Sequence, residues 1–525
     1  MAAMLPPYGG FRPYHSRMTS STVAPTRADT GNGDRPDQRP WILAALMCTM
    51  MLAAMDTTIV STAIPQIVGD LGGFSLFSWV FSIYLLAQTV TIPVYGKLAD
   101  LFGRKTILLA GTVVFLIGST ACAVAWSMPA LVVFRGLQGI GAGSIMATVA
   151  TLAGDLYSVR ERAAIQGWLS SVWGVAAIVG PVLGGAFAEY VSWRWIFLIN
   201  LPIGVAAMGL LVAFLHERVV PREHAIDYAG AALILATGGL LIFGLLQGGQ
   251  SWPWLSPISA AILAGVIVLA VALVWVERHA SEPIMPGWLW RRRVLSGANL
   301  ATVGMGVVMM APNAYLPTFA QSVLGLGAIG SGLVLASMSI GWPLASSFSG
   351  RLYMRVGFRQ TALVGATLIV LATVVFAVFP RPAPVWLAVA DTVLLGAGFG
   401  LLSTPLLVGV QSVVGWDRRG VVTGANMFSR YLGSSLGAAL MGAIFNATLR
   451  ERLAHAPDAL RDSVPRDINK VIDTLQRATL PAGARQYLRE TIGIATSHLY
   501  VAGVVVAVLL LLAVLVTPRR FSEDG

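Results

Sequence analysis

Asp56 stands alone inside the apolar run from Trp41 to Ile67. A carboxylate at the centre of a bilayer costs about 2.5–3.5 kcal/mol on insertion scales, so it survives only where it faces a cavity, a partner or a proton. Arg135 opens a second polar interruption, the string Arg135-Gly136-Leu137-Gln138-Gly139-Ile140-Gly141-Ala142-Gly143. It lies a few residues inside one end of its apolar run, where a snorkelling anchor is one reading. A buried guanidinium facing a cavity is the other, because Gln138 and the small residues follow on adjacent turns. The chemistry such groups can do is to hold, release and exchange a proton, since burial disfavours the charged form of a lone carboxyl.

Two further strings serve geometry. In Gly96-Lys97-Leu98-Ala99-Asp100-Leu101-Phe102-Gly103-Arg104-Lys105, the glycines permit a tight turn. Asp100 there can accept charge-assisted hydrogen bonds or cap a neighbouring helix, as a lock between conformers would. In the fifth apolar run Gly174, Gly180-Pro181 and Gly184-Gly185 combine a bend with close approach of a partner helix. The second half of the chain echoes the Gly96 string with Gly350-Arg351-Leu352, Arg355, Gly357 and Arg359, but lacks its acidic residue. Asp391, Asn426 and Arg430 are the polar outliers there, and Asp391, about 10 Å into its run, also suits an outer interface.

The elements that must position these groups are membrane spans. Of 525 residues 56% are hydrophobic and only 11% charged, with a mean hydropathy of +0.75; a soluble domain carries about 25% charged residues. The runs 41–67, 75–96, 106–126, 130–153, 163–188, 195–215, 228–247, 257–276, 296–323, 329–351, 360–380, 384–411, 420–446 and 496–517 each approach the roughly 20 residues a span requires. With the N-terminus placed inside, the inner loops hold Lys97, Arg104, Lys105, Arg160, Arg162, Arg218, Arg222, Arg278, Arg291 to Arg293, Arg351, Arg355, Arg359, Arg418, Arg419, Arg519 and Arg520, and the short outer loops only Arg194 and Arg381. The net charge of +11 is thereby a topology signal, and no basic soluble domain points to nucleic acid. Residues 1–40 read as a disordered cytoplasmic tail with Met18 as a second candidate start. Residues 447–495 read either as a solvated outer linker or as a cap or partner-docking element, with a short amphipathic helix over Ile468 to Arg477. Cys48 and Cys122 lie in apolar runs, as inert small residues do. Only three of the 35 basic residues are Lys, the bias of a GC-rich bacterial genome.

Taken in order, these strings resemble the major facilitator superfamily, and the fifth-run string is similar to the one marking its antiporters. Met55-Asp56-Thr57-Thr58-Ile59-Val60-Ser61-Thr62-Ala63-Ile64-Pro65 and Trp193-Arg194-Trp195-Ile196-Phe197-Leu198-Ile199-Asn200-Leu201-Pro202-Ile203-Gly204 narrow the resemblance to its fourteen-span drug:proton antiporters. The resemblance covers roughly residues 41–517. It implies an all-α integral membrane protein of the major-facilitator fold, with two six-helix bundles around a midplane cavity and two additional central helices. On that frame 41–215 is the N-terminal bundle, 216–295 holds the two extra spans and linkers, 296–517 is the C-terminal bundle with loop 447–495, and 518–525 is a cytoplasmic tail. The expected proton-coupling residues are Asp56, Arg135 and Asp391. The expected gate is Gly96, Asp100, Gly103, Arg104, Asp155, Gly180 and Pro181. The expected cavity wall is Trp79, Tyr84, Gln88, Trp173, Asn313, Tyr315, Phe319, Asn426 and Arg430. The expected activity is export of lipophilic cationic or neutral compounds in exchange for protons across a bacterial cytoplasmic membrane, as a monomer, with no metal and no cofactor beyond the proton.

Other classes lack their machinery. No Gly-x-x-x-x-Gly-Lys-Ser/Thr string supplies an ATP-driven engine, and no His-Glu-x-x-His or Cys/His cluster supplies a metal-dependent enzyme. A dedicated exporter of a host metabolite, lipid, siderophore or antibiotic on the same fold is the alternative.

Overall fold

A computed structural model describes residues 38–73, 76–217, 226–249, 251–378, 384–461, 463–465, 468, 471–476, 480–519 and 521. The tail up to residue 37, Arg218, Arg222, Arg381 and Arg520 lie outside them. Among the described residues the fold is helical without strands, and fourteen stretches are long and apolar enough to cross a membrane.

The first bundle comprises α1 (Arg39–Leu71), α2 (Phe77–Phe102), α3 (Arg104–Ala123), α4 (Met128–Leu156), α5 (Val159–Tyr190) and a span split into α6 (Trp195–Leu198) and α7 (Asn200–Phe214). Local signals start several of them. Ser127 caps α4 by accepting from the Ala130 amide at 3.3 Å, and Ser158 with Glu161 forms a capping box at α5. Gly103 joins α2 to α3 at φ 90°, which a side chain rarely adopts. Packing pairs α2 and α3 with α4, and α1 with α5 and α7.

Next come α8 (Tyr228–Gln247) and α9 (Pro257–His279). α8 bridges the bundles: Gly238 faces Val90 of α2, and Phe428 of the second bundle approaches the same glycine. α9 packs on α8 and buries no residue of its own. The linker behind it returns to α2 through a Lys97–Glu282 ion pair at 3.1 Å.

The second bundle comprises α10 (Trp288–Arg291), α11 (Arg293–Ser322), a span split into α12 (Ala328–Ala336) and α13 (Met338–Val356), α14 (Phe358–Ala377), α15 (Val385–Ser412), α16 (Arg419–Ala454), the short α17 (Val471–Gln476) and α18 (Ala482–Val516). α11 packs on α16 and α18, and α15 on α13 and α14.

The polar stretch 447–495 differs from an extended loop at both ends, since α16 runs on to Ala454 and α18 begins at Ala482. Hydropathy tracks the bilayer, whereas these helices continue on packing of their own. Leu449, Leu453, Val464, Val471, Leu475, Leu488 and Ile492 share one buried cluster, and the Tyr487 hydroxyl donates to the Arg452 carbonyl. The described residues of the segment are packed together.

The described loops rich in Lys and Arg gather at one end with the start of α1 and the end of α18. There the Tyr157 hydroxyl donates to the Arg39 carbonyl at 3.1 Å, and Phe521 packs on Phe358.

Candidate functional site

Asp56 and Arg135 meet inside the first bundle, each fully buried. Arg135 Nη1 donates to Asp56 Oδ2 at 2.5 Å, and Gln138 Nε2 donates to Asp56 Oδ1 at 2.8 Å, so both carboxylate oxygens are held. Arg135 also donates to the Gln138 Oε1 at 2.8 Å and to the Val80 carbonyl at 3.1 Å, and its guanidinium lies 4.2 Å from the Tyr84 ring centroid. Cys122 Sγ stands 3.7 Å from Gln138 Oε1. The close approach of the helices comes from glycine: a Cβ on Gly118 would meet the backbone of Gln138, and one on Gly139 the Tyr84 carbonyl. Charge, amide and aromatic face thus close on one another in a buried space, where a pair is held strongly only if its remaining groups are satisfied.

A second polar cluster joins the two bundles at the basic end. Asp100 accepts from the backbone amides of Gly420 at 2.8 Å and Val421 at 2.9 Å. It therefore caps α16 from across the interface, where the helix dipole favours an anion. Arg104 donates to Asp100 at 2.7 Å and pairs with Asp155 at 3.0 Å, and its guanidinium stacks 3.5 Å over the Trp416 ring. Asp155 reaches back to Arg419 of the second bundle at 2.9 Å. Glu217 holds this cluster from below by accepting from the Arg104 and Lys105 amides at the start of α3. One turn inward, Gln411 of α15 donates to the Ala150 carbonyl of α4 at 3.1 Å and to Thr423 at 2.9 Å. Gly96 packs directly on Gly420, and Gly167 on Ser347. These contacts close the basic end, while Asn313 on the outer half of α11 is exposed.

The expected site residues thus fall into separate places. Asp56 and Arg135 come together; Asp391 lies elsewhere, buried in the core of the second bundle, with Oδ1 lacking a hydrogen-bond partner among the described residues. Gly96, Asp100, Gly103, Arg104 and Asp155 lie at the basic-end closure. Gly180 and Pro181 do not: Gly180 packs on Thr58, so this part of α5 forms a seam with α1 inside the first bundle. The contact across bundles uses Gly167 and Gly174 of α5 instead.

The nine expected cavity residues do not share one wall. Tyr84 and Gln88 are buried in the first bundle. Trp79 packs on Phe243 of α8, and Trp173 against the first bundle's core. Phe319 stacks edge-on with Phe376, and Tyr315 with Phe445, so both belong to packing inside the second bundle. Asn426 donates to Asn299 and Thr302 of α11 and joins two helices of one bundle. Asn313 is exposed and Arg430 half-buried.

Gln138, Gln411, Arg419, Glu217 and the amides of α16 join the clusters without having been singled out as site residues. Gln411 carried a usable signal, as a polar amide near the end of an apolar run.

The family model of the major facilitator superfamily matches residues 46–227 and 224–438, and this chain belongs to that family. It is a multi-pass membrane transporter. A multidrug transporter protein of Bacillus subtilis (MdtP) is 31% identical over 82% of this chain and 80% of its own length. Multidrug resistance protein 3 of the same organism is 31% identical over 81% and 83%. A bacterial homologue of the iron transporter ferroportin, solved in an outward-facing state, shares the fold at a TM-score of 0.58 and 12% identity, covering 89% of this chain and 99% of that one.

Proposed function

We propose that this protein is an efflux transporter exporting lipophilic compounds in exchange for protons, by alternating access, across a bacterial cytoplasmic membrane with its basic end inside. The observation that carries the reading is the Asp56 carboxylate, buried in mid-span and held at both oxygens by Arg135 and Gln138. A proton arriving on Asp56 removes the charge that Arg135 pairs with. The released guanidinium and its Tyr84 face then change the contacts between α1, α2 and α4. The basic-end closure of Asp100, Arg104, Asp155 and Arg419 is the element that this change biases. Driving force comes to about 2.3 kcal/mol per charge per 100 mV, plus about 1.4 kcal/mol per pH unit. The multidrug names of the Bacillus subtilis relatives support broad lipophilic cargo, cationic or neutral on the sequence reading. On this reading the transporter works as a monomer and needs no metal or cofactor beyond the proton.

The test is efflux of ethidium, and of the neutral dye Nile red, from reconstituted vesicles under an imposed pH gradient. Gradient-driven efflux by the wild type, lost in Asp56→Asn with folding intact, is the expected result. Efflux that survives the substitution removes Asp56 from the coupling path.

A further inference from the structure

We infer that Arg430 is an anion subsite on the line between the two bundles, and that the preferred cargo is a lipophilic compound bearing a carboxylate or similar anionic group. The inference rests on the export reading above and departs from the expectation of cationic or neutral cargo.

The argument begins with the faces of α16. Asn426, Gly433 and Gly437 all face α11, where they meet Thr302, Val303 and Val307. Gly420, Gly424 and Tyr431 face the first bundle. At about 100° per residue, Arg430 falls between these stripes and on the same stripe as Thr423, two turns back. Thr423 is the residue that meets Gln411, which in turn reaches Ala150 of α4. The stripe therefore looks along the line between the bundles. Seven residues at 1.5 Å put Arg430 about 10 Å beyond the Gln411 closure, on its outer side.

Depth and charge complete the case. Arg430 lies eleven residues into α16 from the basic end, about 16 Å, or half of a bilayer's hydrocarbon core. Its neighbour Tyr431 packs against the first bundle's core, the cluster that holds Tyr84, whose ring lies on Arg135. Arg430 is thus level with the buried pair. Yet Arg135 is neutralised by Asp56, whereas Arg430 is half-buried, makes no ion pair and donates no hydrogen bond among the described residues. Its one described aromatic contact is its own neighbour, Tyr431, at 5.1 Å. An uncompensated guanidinium at mid-membrane is expensive and marks a place where a partner arrives. A guanidinium is planar and forked, which fits a carboxylate through two parallel hydrogen bonds. The same charge repels a cationic ligand placed beside it.

The experiment is equilibrium binding to the detergent-solubilised full chain, read by fluorescence anisotropy, with fluorescein as a planar anionic probe and ethidium as a cationic one. Arg430→Gln is expected to weaken fluorescein binding by about tenfold or more, the usual loss for a charge-assisted hydrogen bond. Ethidium binding is expected to stay unchanged or tighten, and Arg430→Lys to keep most of the fluorescein affinity. Equal fluorescein affinity in wild type and Arg430→Gln overturns the inference. So does a wild type that binds ethidium and not fluorescein. Equal loss of both probes in Arg430→Gln, with Arg430→Lys no better, assigns Arg430 to structure and overturns it too. Fluorescein efflux from vesicles then separates the two readings. Arg430-dependent binding without gradient-driven efflux keeps the anion subsite and removes the proton-coupled export. Efflux of both dyes with affinities indifferent to position 430 keeps the export and removes the subsite.

Discussion

The two bundles are built on one pattern and loaded with different chemistry. In α4, Gly139 and Gly143 admit α2, and Gly141 admits α3. In α15, at the same spacing, Gly396 and Gly400 admit α13, and Gly398 admits α14. Four residues before each ladder stands the side chain that reaches across. Arg135 donates to the Val80 carbonyl, and Thr392 donates to the Val334 carbonyl at 3.2 Å. Where Gln138 holds Asp56 in the first bundle, Leu395 lies in apolar packing in the second. The turns repeat the lesson. Gly103 and Gly357 both sit near φ 90°, but Met354 and Phe358 occupy the places of Asp100 and Arg104. Phe358 packs against Tyr353 and Phe521 instead of carrying charge. Backbone packing is shared because glycines at the same spacing let neighbouring helices approach closely in both bundles. On the proposed mechanism one proton site and one lock suffice to bias a two-state movement, which leaves the matching places of the second bundle free for apolar packing.

The largest effect should come from breaking the pair that only the first bundle has. Removing one member of a buried ion pair strands the other, at about 3–5 kcal/mol. Arg135→Ala should therefore lower the melting temperature in detergent steeply. Thr392→Val, at the matching place, removes only the neutral hydrogen bonds of one hydroxyl, to backbone carbonyls and to Ser337, and should cost about 0.5–1.5 kcal/mol for each bond lost. Equal losses in thermal melts would show that the second bundle depends on its polar contact as heavily as the first, and the comparison would fail.

The shared scaffold makes the opposite prediction, similar losses in both halves. A Cβ at Gly141 would stand 2.3 Å from the Phe115 nitrogen, and one at Gly398 2.8 Å from the Ile369 side chain. Both alanine variants should cost about 1–3 kcal/mol through overpacking, with Gly141→Ala the worse because backbone yields less than a side chain. A silent Gly398→Ala beside a damaging Gly141→Ala would show that the second bundle has slack, and that the matched ladders are matched in sequence alone.

Much of this architecture was legible in the chain and some was not, for physical reasons. Fourteen spans follow from the length a bilayer demands, so their number could be read directly. Asp56, Arg135 and the Asp100 string were visible because polar groups are costly in apolar runs. The break at Ile199 has a local cause that went unread, since Pro202 leaves the Leu198 carbonyl without its helical donor. The break at Ser337 carries neither Gly nor Pro, and there the hydroxyl donates to the Val334 carbonyl and meets Thr392 of α15. Aromatic residues announced themselves as large amphipathic surfaces, but not what they would pack against. Thus Phe319 went to a core and Trp79 to α8. Contacts between bundles, such as Gln411 on Ala150, depend on geometry between residues far apart in sequence and left only the trace of an isolated amide.

The smallest energetic effect carries the most functional information. Asp100 caps α16 from the other bundle, so its bonds exist only while the basic end is closed. Losing a cap costs about 1 kcal/mol, which would raise the fraction of molecules open at that end about fivefold. The reporter is Thr423→Cys, placed at a fully buried position of the seam, in a background with Cys48 and Cys122 replaced by Ala. Maleimide labelling of that cysteine should quicken about fivefold in Asp100→Asn, by the same arithmetic. Met354→Ala, the matching place in the second bundle, projects its side chain outward at 56% exposure and should leave the rate unchanged. If both substitutions quicken labelling alike, the closure is a property of general packing in either loop. If Asp100→Asn alone does so, a carboxylate on a helix end is what separates the half that switches from the half that carries it.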